Sequence, residues 1–489
     1  MRVAGSWLPP DLRGGPTEVV RLTDNIELER ARVEPSRLVT LSRTLRERAQ
    51  TLRRRPIAEL VEVLDAAAAA WLDPSDPNRQ RALEVLPAIT GFSPEMVALS
   101  IDLEMRSSRA DDLWGVLRSE LGPAGVGALD AFVPCPHRPG RRIRALGPRL
   151  TGAVFSSNIP ALPHLSVMRA LLLKSAFLGR SASAEPAFLP LYLDTLHRLD
   201  PEVAACCAAL SWDRGRADQD GLEKAFLNDL DAFVGWGGRD AERQYRSAVP
   251  GAVPVVFHGH RVGFAWVGAG VSPAAVSDGL ARDLCIFDQH ACLSPHVVFV
   301  EGDLGRAQQV GLALARSLDV LTAELPPRRA SMGRLAALAQ HRMVAEMDAA
   351  MSGGAVLRPE DGGPWWTVVV RPAEGLPASP LDRWVTVVPL KDAAALLGRL
   401  RPLHGLLQNA ALAVKEAIEA DALREELALL GVSRMCPPGA MATPSMVWHH
   451  DGKACVGAFV RWADVESVAP GEVCPLLDRP PWSTRGEGT

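Results

Sequence analysis

Apolar residues recur at helical spacing through the first quarter of the chain. Leu38, Leu41, Leu45 and Leu52 fall on one helical face. The run "PIAELVEVLDAAAAAWL" follows Pro56, which suits a first helical turn, and stops at the turn "DPSDP". In "GFSPEMVALSIDLEM", Ser93 is placed to cap a helix and Pro94 to open it. Residues 17–130 are therefore expected to be helical. The arginines of "RTLRERAQTLRRRP" read as a solvated helix face rather than a nucleic-acid surface, because acidic residues follow closely.

From about Arg142 the period changes. Short apolar runs alternate with helical ones: "TGAVFSS", "LPHLSVMRALLLKSAFLGR", "FLPLYLDTLHRL", "DAFVGWGG" and "RDAERQYRSAV". Alternation of this kind predicts an α/β protein with a parallel, doubly wound sheet that binds ligands at the carboxyl ends of its strands. A second alternating block is expected from "VPVVF" through "HVVFVEG" and "LGRAQQVGLALARSLDVLTAE" to "PWWTVVVRP" and "WVTVVPL". The tail reads as loop-rich and carries "WHHDGK". The expected division is a helical region 1–130, a Rossmann-like domain 131–257, a second α/β domain 258–430, and a C-terminal segment 431–489. That last segment would return to the Rossmann-like domain or to an oligomer interface.

Composition narrows the class. A chain of 489 residues exceeds what one core usually supports, and 47% hydrophobic with 22% charged residues is ordinary for a globular protein. The net charge of −4 gives no argument for nucleic acid or for an anionic membrane surface. The start "MRVAGSWLPPDLRGG" lacks an apolar core, and the nearest rival to a membrane span, Val253 to Val267, is broken by His258, His260 and Arg261. The eight cysteines show no CxxC spacing, so neither a disulfide scaffold nor a zinc site is expected, and the cytosol is the expected compartment.

Cys292, in "FDQHACLSPHVVFVEGD", is the first candidate for chemistry. A thiolate is the reactive form and needs a partly polar, accessible setting; Asp288, Gln289 and His290 would supply polarity, and His290 could help ionise the thiol. The plain alternative is a structural cysteine, with Cys285 as the internal control. Asn158, where "AVFSSNIP" leaves a strand, could donate to a developing oxyanion or could simply shape a turn. In "VGWGGRDAER" glycines between an apolar run and a helix would let a phosphate approach, although the spacing is not GxGxxG. His258-x-His260 and His449-His450-Asp451 could ligate a metal, but metal binding usually needs three convergent ligands and no third spacing supports it, so no metal is expected. Trp365, Trp366 and Trp384 read as core or interface.

Taken in order, "SSNIP", "LLLKSAFLGRSASAEP", "DAFVGWGG", "DQHACLSPH", "GVSRMCPPGAM" and "WHHDG" resemble the aldehyde dehydrogenase superfamily. Within it they are most similar to the acyl-CoA reductase branch that includes the fatty acid reductase of bacterial luminescence. The resemblance runs over nearly the whole chain. It implies a Rossmann-like cofactor domain, a catalytic domain carrying Cys292 as nucleophile, and an oxyanion hole from Asn158 and the Cys292 backbone N–H. It also implies cofactor contacts at Arg180, Ser183, Gly235, Trp236, Gly237 and Gly238. Arg180 stands where the superfamily usually has a ribose-contacting lysine, and Ser183 where many NAD-preferring relatives have an acid. NADP(H) is thus expected ahead of NAD(H). Two departures stand out: the later cofactor-binding glutamate has no match near "SPLDRWVTVVPL", and the general-base glutamate is missing, with His258 near its place. His258 is thus a catalytic candidate that could donate a proton to the hemithioacetal or the leaving thiolate, or else a structural histidine beside the cofactor domain. No glutamate occurs between Glu242 and Glu301. An acyl-cysteine without an activated water waits for hydride or a thiol, so reduction of an acyl thioester to an aldehyde, or its reverse, is favoured over oxidation to a free acid. The implied substrates are acyl-CoA or an acyl carrier, with an acyl-transferring protein as possible partner and a homo-oligomer as the expected state. The competing readings are a cysteine acyltransferase or thioesterase that uses no nicotinamide, and a catalytically silent subunit of a multienzyme complex.

Overall fold

Two parallel sheets, each covered by helices, carry most of the chain. The computed structural model describes residues 1–136, 140–213 and 220–466. Five helices, Pro35–Arg54, Ile57–Leu72, Pro77–Thr90, Pro94–Arg106 and Ala110–Ala128, form the N-terminal layer. Leu38, Leu41, Leu45 and Leu52 all face its core, and the Ser93 hydroxyl accepts from the Met96 N–H at the start of its helix. The expectation of helix from residue 17 is corrected at its beginning. Thr17–Arg21 and Glu27–Ala31 are antiparallel strands, and Arg2–Ala4 pairs with the second of them. The alternation in "ELERA" buries Leu28 and Arg30 on one face, and Arg30 pairs there with Glu18 and Asp213.

The first sheet runs in the order Val255–His258, Ala232–Trp236, Leu150–Val154, Ala176–Arg180, Cys207–Leu210, with every pair parallel. Its three middle strands are buried at every position, as a sheet covered on both faces requires. "VPVVF", expected to open the second block, instead forms the edge strand of this sheet, so His258 is its last residue. The second sheet has seven strands, ordered Ala355–Leu357, Thr367–Val370, Trp384–Leu390, Pro295–Glu301, Val262–Val267, Leu407–Ala413, Arg434–Cys436; only the first pair is antiparallel. The tail comes back across the molecule. Arg461–Glu466 pairs antiparallel with Arg141–Leu146, which also pairs with Val133–Pro134. The remainder of the expected C-terminal segment, 467–489, lies outside the described residues. Among the described residues no helix is long and apolar enough to cross a membrane.

Candidate active site

Cys292 sits in a short loop between the helix Pro273–Cys285 and the strand Pro295–Glu301. The approach to it is a left-handed turn of three non-glycine residues, Phe287, Asp288 and Gln289, with φ of 57°, 47° and 63°. Such a run is costly for L-residues and persists only where its surroundings hold it. Here they do. Asp288 Oδ1 accepts from Arg383 Nε at 2.6 Å and Oδ2 from the Arg328 N–H at 2.9 Å. Gln289 donates to the Pro295 and Trp384 carbonyls, both at 2.9 Å, and accepts from the Trp384 N–H at 2.7 Å. A second left-handed turn, Leu381, Asp382 and Arg383, lies opposite, and its Asp382 N–H donates to the Asp288 carbonyl at 3.1 Å. The polar residues before the cysteine are therefore buried clamps rather than a polar entrance. His290 is also engaged: its Nε2 is 2.8 Å from Asp382 Oδ1, which directs that nitrogen to a carboxylate instead of to the thiol.

A cavity of about 630 Å³ is lined by Cys292, by the carboxyl ends of two first-sheet strands at Trp236–Gly238 and His258, and by Asn158. Asn158 follows the strand Leu150–Val154. Its Oδ1 accepts from Ser156 Oγ, and its Nδ2 donates to the His290 carbonyl at 2.8 Å, which aims the amide at the cysteine loop. Cys292 keeps part of its surface in the cavity. Burial, and then the nearby Asp451 carboxylate, push its thiol up to about 12. Cys285, fully buried in its helix, is pushed up to about 11 by burial.

His258 and Asp451 form the second half of the site. Asp451 Oδ2 lies 3.1 Å from His258 Nδ1, and the two side chains are 2% and 4% exposed. Burial, reinforced by Arg169, Lys453 and Arg261, holds the His258 pKa well below 6.5, so the ring is neutral. His258 Nε2 is buried and has no hydrogen-bond partner among the described residues. The ring packs against both Trp236 and His450, each at a centroid distance of 4.1 Å, those two rings lie 5.3 Å apart, and Trp448 stacks on His450 at 4.4 Å. The two histidine pairs read as separate in sequence thus meet. Potential ligand atoms of His258, His450 and Asp451 all lie within 4.8 Å of one another, which corrects the expectation that no third ligand would converge. The carboxylate here already serves His258, Gln408 and Arg261.

Other expected residues are placed differently. Gly235 does not line the cavity. A Cβ there would come within 2.1 Å of the Phe257 ring, so its glycine answers to strand packing rather than to a phosphate. Gly237 and Gly238 do line it. Arg180 is buried off the cavity, its guanidinium 5.0 Å from the Trp212 ring centroid and its Nε 3.8 Å from Glu223 Oε2. The carboxylate that the local sequence withholds from Arg180 is supplied by a later helix. Ser183 is exposed. Glu104 was missed entirely: it reaches the cavity from the N-terminal helix Pro94–Arg106, and burial raises its carboxyl to about 7. The window without glutamates gave no signal of it. Asp451 was seen only as part of a motif.

A family model described as Acyl-CoA reductase (LuxC) matches residues 52–462. The chain is 22% identical over 414 residues to a long-chain acyl-protein thioester reductase of Aliivibrio fischeri, covering 83% of this chain and 82% of that one. It is 23% identical over 278 residues to the protein of that name from Vibrio harveyi, covering 56% of each, so this alignment spans little more than half of that relative. Among solved structures, an oxidoreductase of Marinobacter aquaeolei superposes with a TM-score of 0.71 at 12% identity, over 94% of this chain and 97% of that one. An aldehyde dehydrogenase of Brucella melitensis biovar abortus gives 0.67 at 11%, over 94% and 95%. The fold is that of the aldehyde dehydrogenases.

Proposed function

Because this chain belongs to the acyl-CoA reductase (LuxC) family, we propose that it reduces a fatty acyl thioester to the aldehyde through an acyl-enzyme on Cys292. The observation that carries this reading is the shared cavity: a thiol, an amide aimed at its loop and an unpartnered imidazole nitrogen line it together with the strand ends of the Rossmann-like sheet. The acyl donor is acyl-CoA or an acyl group on a carrier or transferring protein, a chemistry consistent with the printed names of the relatives.

The residues fit a dinucleotide on one structural count. An added Cβ at Gly238 meets no atom within 4 Å, which leaves room for a phosphate at the N-terminus of the helix Arg239–Ala248. Trp236 and Gly237 complete that wall. Reduced nicotinamide, when bound, supplies the hydride for the thioester carbon. We infer NADP(H) ahead of NAD(H). Ser183 brings no carboxylate to a ribose, whereas Glu223 beside Arg180 works against a 2′-phosphate; comparing kcat/KM for NADPH and NADH decides the matter. Within the chain, Asn158 Nδ2 accommodates the oxyanion, Cys292 holds the acyl group, and His258 carries the proton.

The test is reductant consumption with acyl-CoAs of graded length, alongside labelling of the enzyme by a radioactive acyl-CoA. Cys292→Ala abolishes both, and Cys285→Ala spares both. Retained turnover in Cys292→Ala overturns the assignment. A second reading, acyl transfer without reduction, gains one support: the His258–Asp451 pair is the imidazole–carboxylate partner that a cysteine acyltransferase needs. Reduced dinucleotide that fails to quench tryptophan fluorescence or raise the melting temperature would favour that reading.

A further inference from the structure

Asp451 reaches His258 from 193 residues away in the chain, on a loop that belongs to neither parallel sheet. We infer that Asp451 is a positioning residue: it fixes His258 with its proton on Nδ1, so that Nε2 is the atom that takes the Cys292 proton and returns it to the departing carrier thiol. The inference rests on Cys292 being the nucleophile.

The geometry leaves His258 little choice. A carboxylate 3.1 Å from Nδ1 accepts its hydrogen, and a neutral imidazole with Nδ1–H has a lone pair on Nε2. That nitrogen is buried and has no partner among the described residues. A buried polar atom left unpaired is costly, and such costs are concentrated where a site uses the atom. Trp236 and His450 both pack against the ring at 4.1 Å and lie 5.3 Å from each other, and this crowding opposes its turning over.

The carboxylate is itself held from three directions. Gln408 Nε2 donates to Oδ1 at 2.6 Å, Arg261 Nε lies 3.2 Å from the same oxygen, and His258 takes Oδ2. Asp451 adopts φ 57°, a left-handed conformation kept by these three partners. Gln408 also stands beside the Cys292 thiol, so a single side chain touches the nucleophile and the carboxylate that orients its base. Among the described residues, Cys292, His450, Arg261, Arg169 and Lys453 act on this pair, and Glu104, Arg106, Asp112, His260, His290 and His296 line the same cavity. The cations around the ring disfavour a lasting imidazolium, so the proton taken from sulfur is passed on rather than stored.

The step balances without an added reagent. His258 Nε2 takes the proton from Cys292 Sγ as sulfur bonds to the acyl carbon. The carbon–sulfur bond to the carrier breaks, and the carrier thiolate receives the same proton. Acyl-Cys292 and a free carrier thiol result, with no net proton or electron exchanged.

Asp451→Asn tests this, since an amide can donate to Nδ1 and so move the ring proton to Nε2. The measurement is single-turnover acylation of Cys292 by an acyl-CoA, without dinucleotide, followed by intact-protein mass from pH 6 to 10. We expect a loss of about 100-fold or more at pH 7 that narrows as pH rises toward 10, because the thiolate fraction formed without a base grows about tenfold per pH unit below the thiol's value of about 12. Asp451→Glu recovers part of the rate at pH 7. His258→Ala reproduces the loss, and adding Asp451→Asn to it costs nothing further. An unchanged rate and pH profile in a folded Asp451→Asn protein overturns the proposal. So does a uniform loss at all pH values that accompanies lost fluorescence quenching by NADPH, which marks a structural role only. Acylation that survives in Cys292→Ala overturns the underlying reading instead, and the two failures are distinct.

Discussion

Asp288 and Arg383 join through a 2.6 Å contact while both side chains are essentially sealed from solvent, at 1% and 0% exposure. They are 95 residues apart, yet each sits within a left-handed turn, and their union holds those turns face to face beneath Cys292. Removing one partner leaves a buried charge uncompensated, at a cost of about 3–5 kcal/mol. Asp288→Asn or Arg383→Met is therefore expected to lower the denaturant midpoint by a corresponding amount. Iodoacetamide labelling of Cys292 in the surviving folded fraction should slow as well. A variant with wild-type stability would show that the pair is not what maintains the turns.

Under the proposed function, replacing Asn158 should separate acyl chemistry from thiol reactivity. Asn158→Ala is expected to lower the steady-state rate by about 10²–10³-fold, as removal of an oxyanion donor does. Alkylation of Cys292, which develops no oxyanion, should change far less. Equal losses in the two assays would mean that the amide only supports the loop through its bond to the His290 carbonyl.

The glycines of "VGWGG" divide by role. Gly235→Ala forces a methyl to within 2.1 Å of Phe257 and is expected to cost about 1–3 kcal/mol of stability. Gly238→Ala meets open space and should fold normally. Its expected defect is a raised dissociation constant for the reduced dinucleotide, read by tryptophan fluorescence.

Glu104 makes stability depend on pH in a defined direction. Burial raises its carboxyl from 4.5 to about 7. Between those values the unfolded chain binds fewer protons than the folded one, so this group's contribution falls as pH rises through the window and stays lower above it. Glu104→Gln is thus expected to match wild type near pH 4 and to exceed it at pH 8 by about 2–3 kcal/mol. Urea titrations at the two pH values check the sign, and a variant less stable at pH 8 contradicts it.

Chelation gives a further test. Asp451 already serves His258, Gln408 and Arg261, so dialysis against EDTA is expected to leave acylation of Cys292 unchanged. Activity lost to EDTA and restored by zinc would identify the convergence of His258, His450 and Asp451 as a ligand set.

The helical layer and the alternating blocks were legible because their information is local. The leucine spacing of Pro35–Arg54 and the cap at Ser93 need no distant partner. Thr17–Arg21 and Glu27–Ala31 were misread because two five-residue strands bury few side chains, and only their pairing shows the period. At the site, a contiguous motif drew attention to Cys292. The meaning of Asp288 and Gln289, by contrast, depended on partners near residue 383, and a buried ion pair and a solvated polar stretch look alike in one dimension. Arg180 was read as lacking a carboxylate for the same reason, since Glu223 lies 43 positions onward. The base-poor window drew attention to His258 but was silent on Glu104, which enters from the opposite end of the chain.

The late position of Asp451 has a bearing on synthesis. A ribosome must pass residue 451 before the imidazole gains its carboxylate. Nascent and prematurely terminated chains that stop short of it would hold the sulfur and the Rossmann-like strands without the group proposed to set the proton, and so would draw acyl groups far more slowly than chains that extend past it.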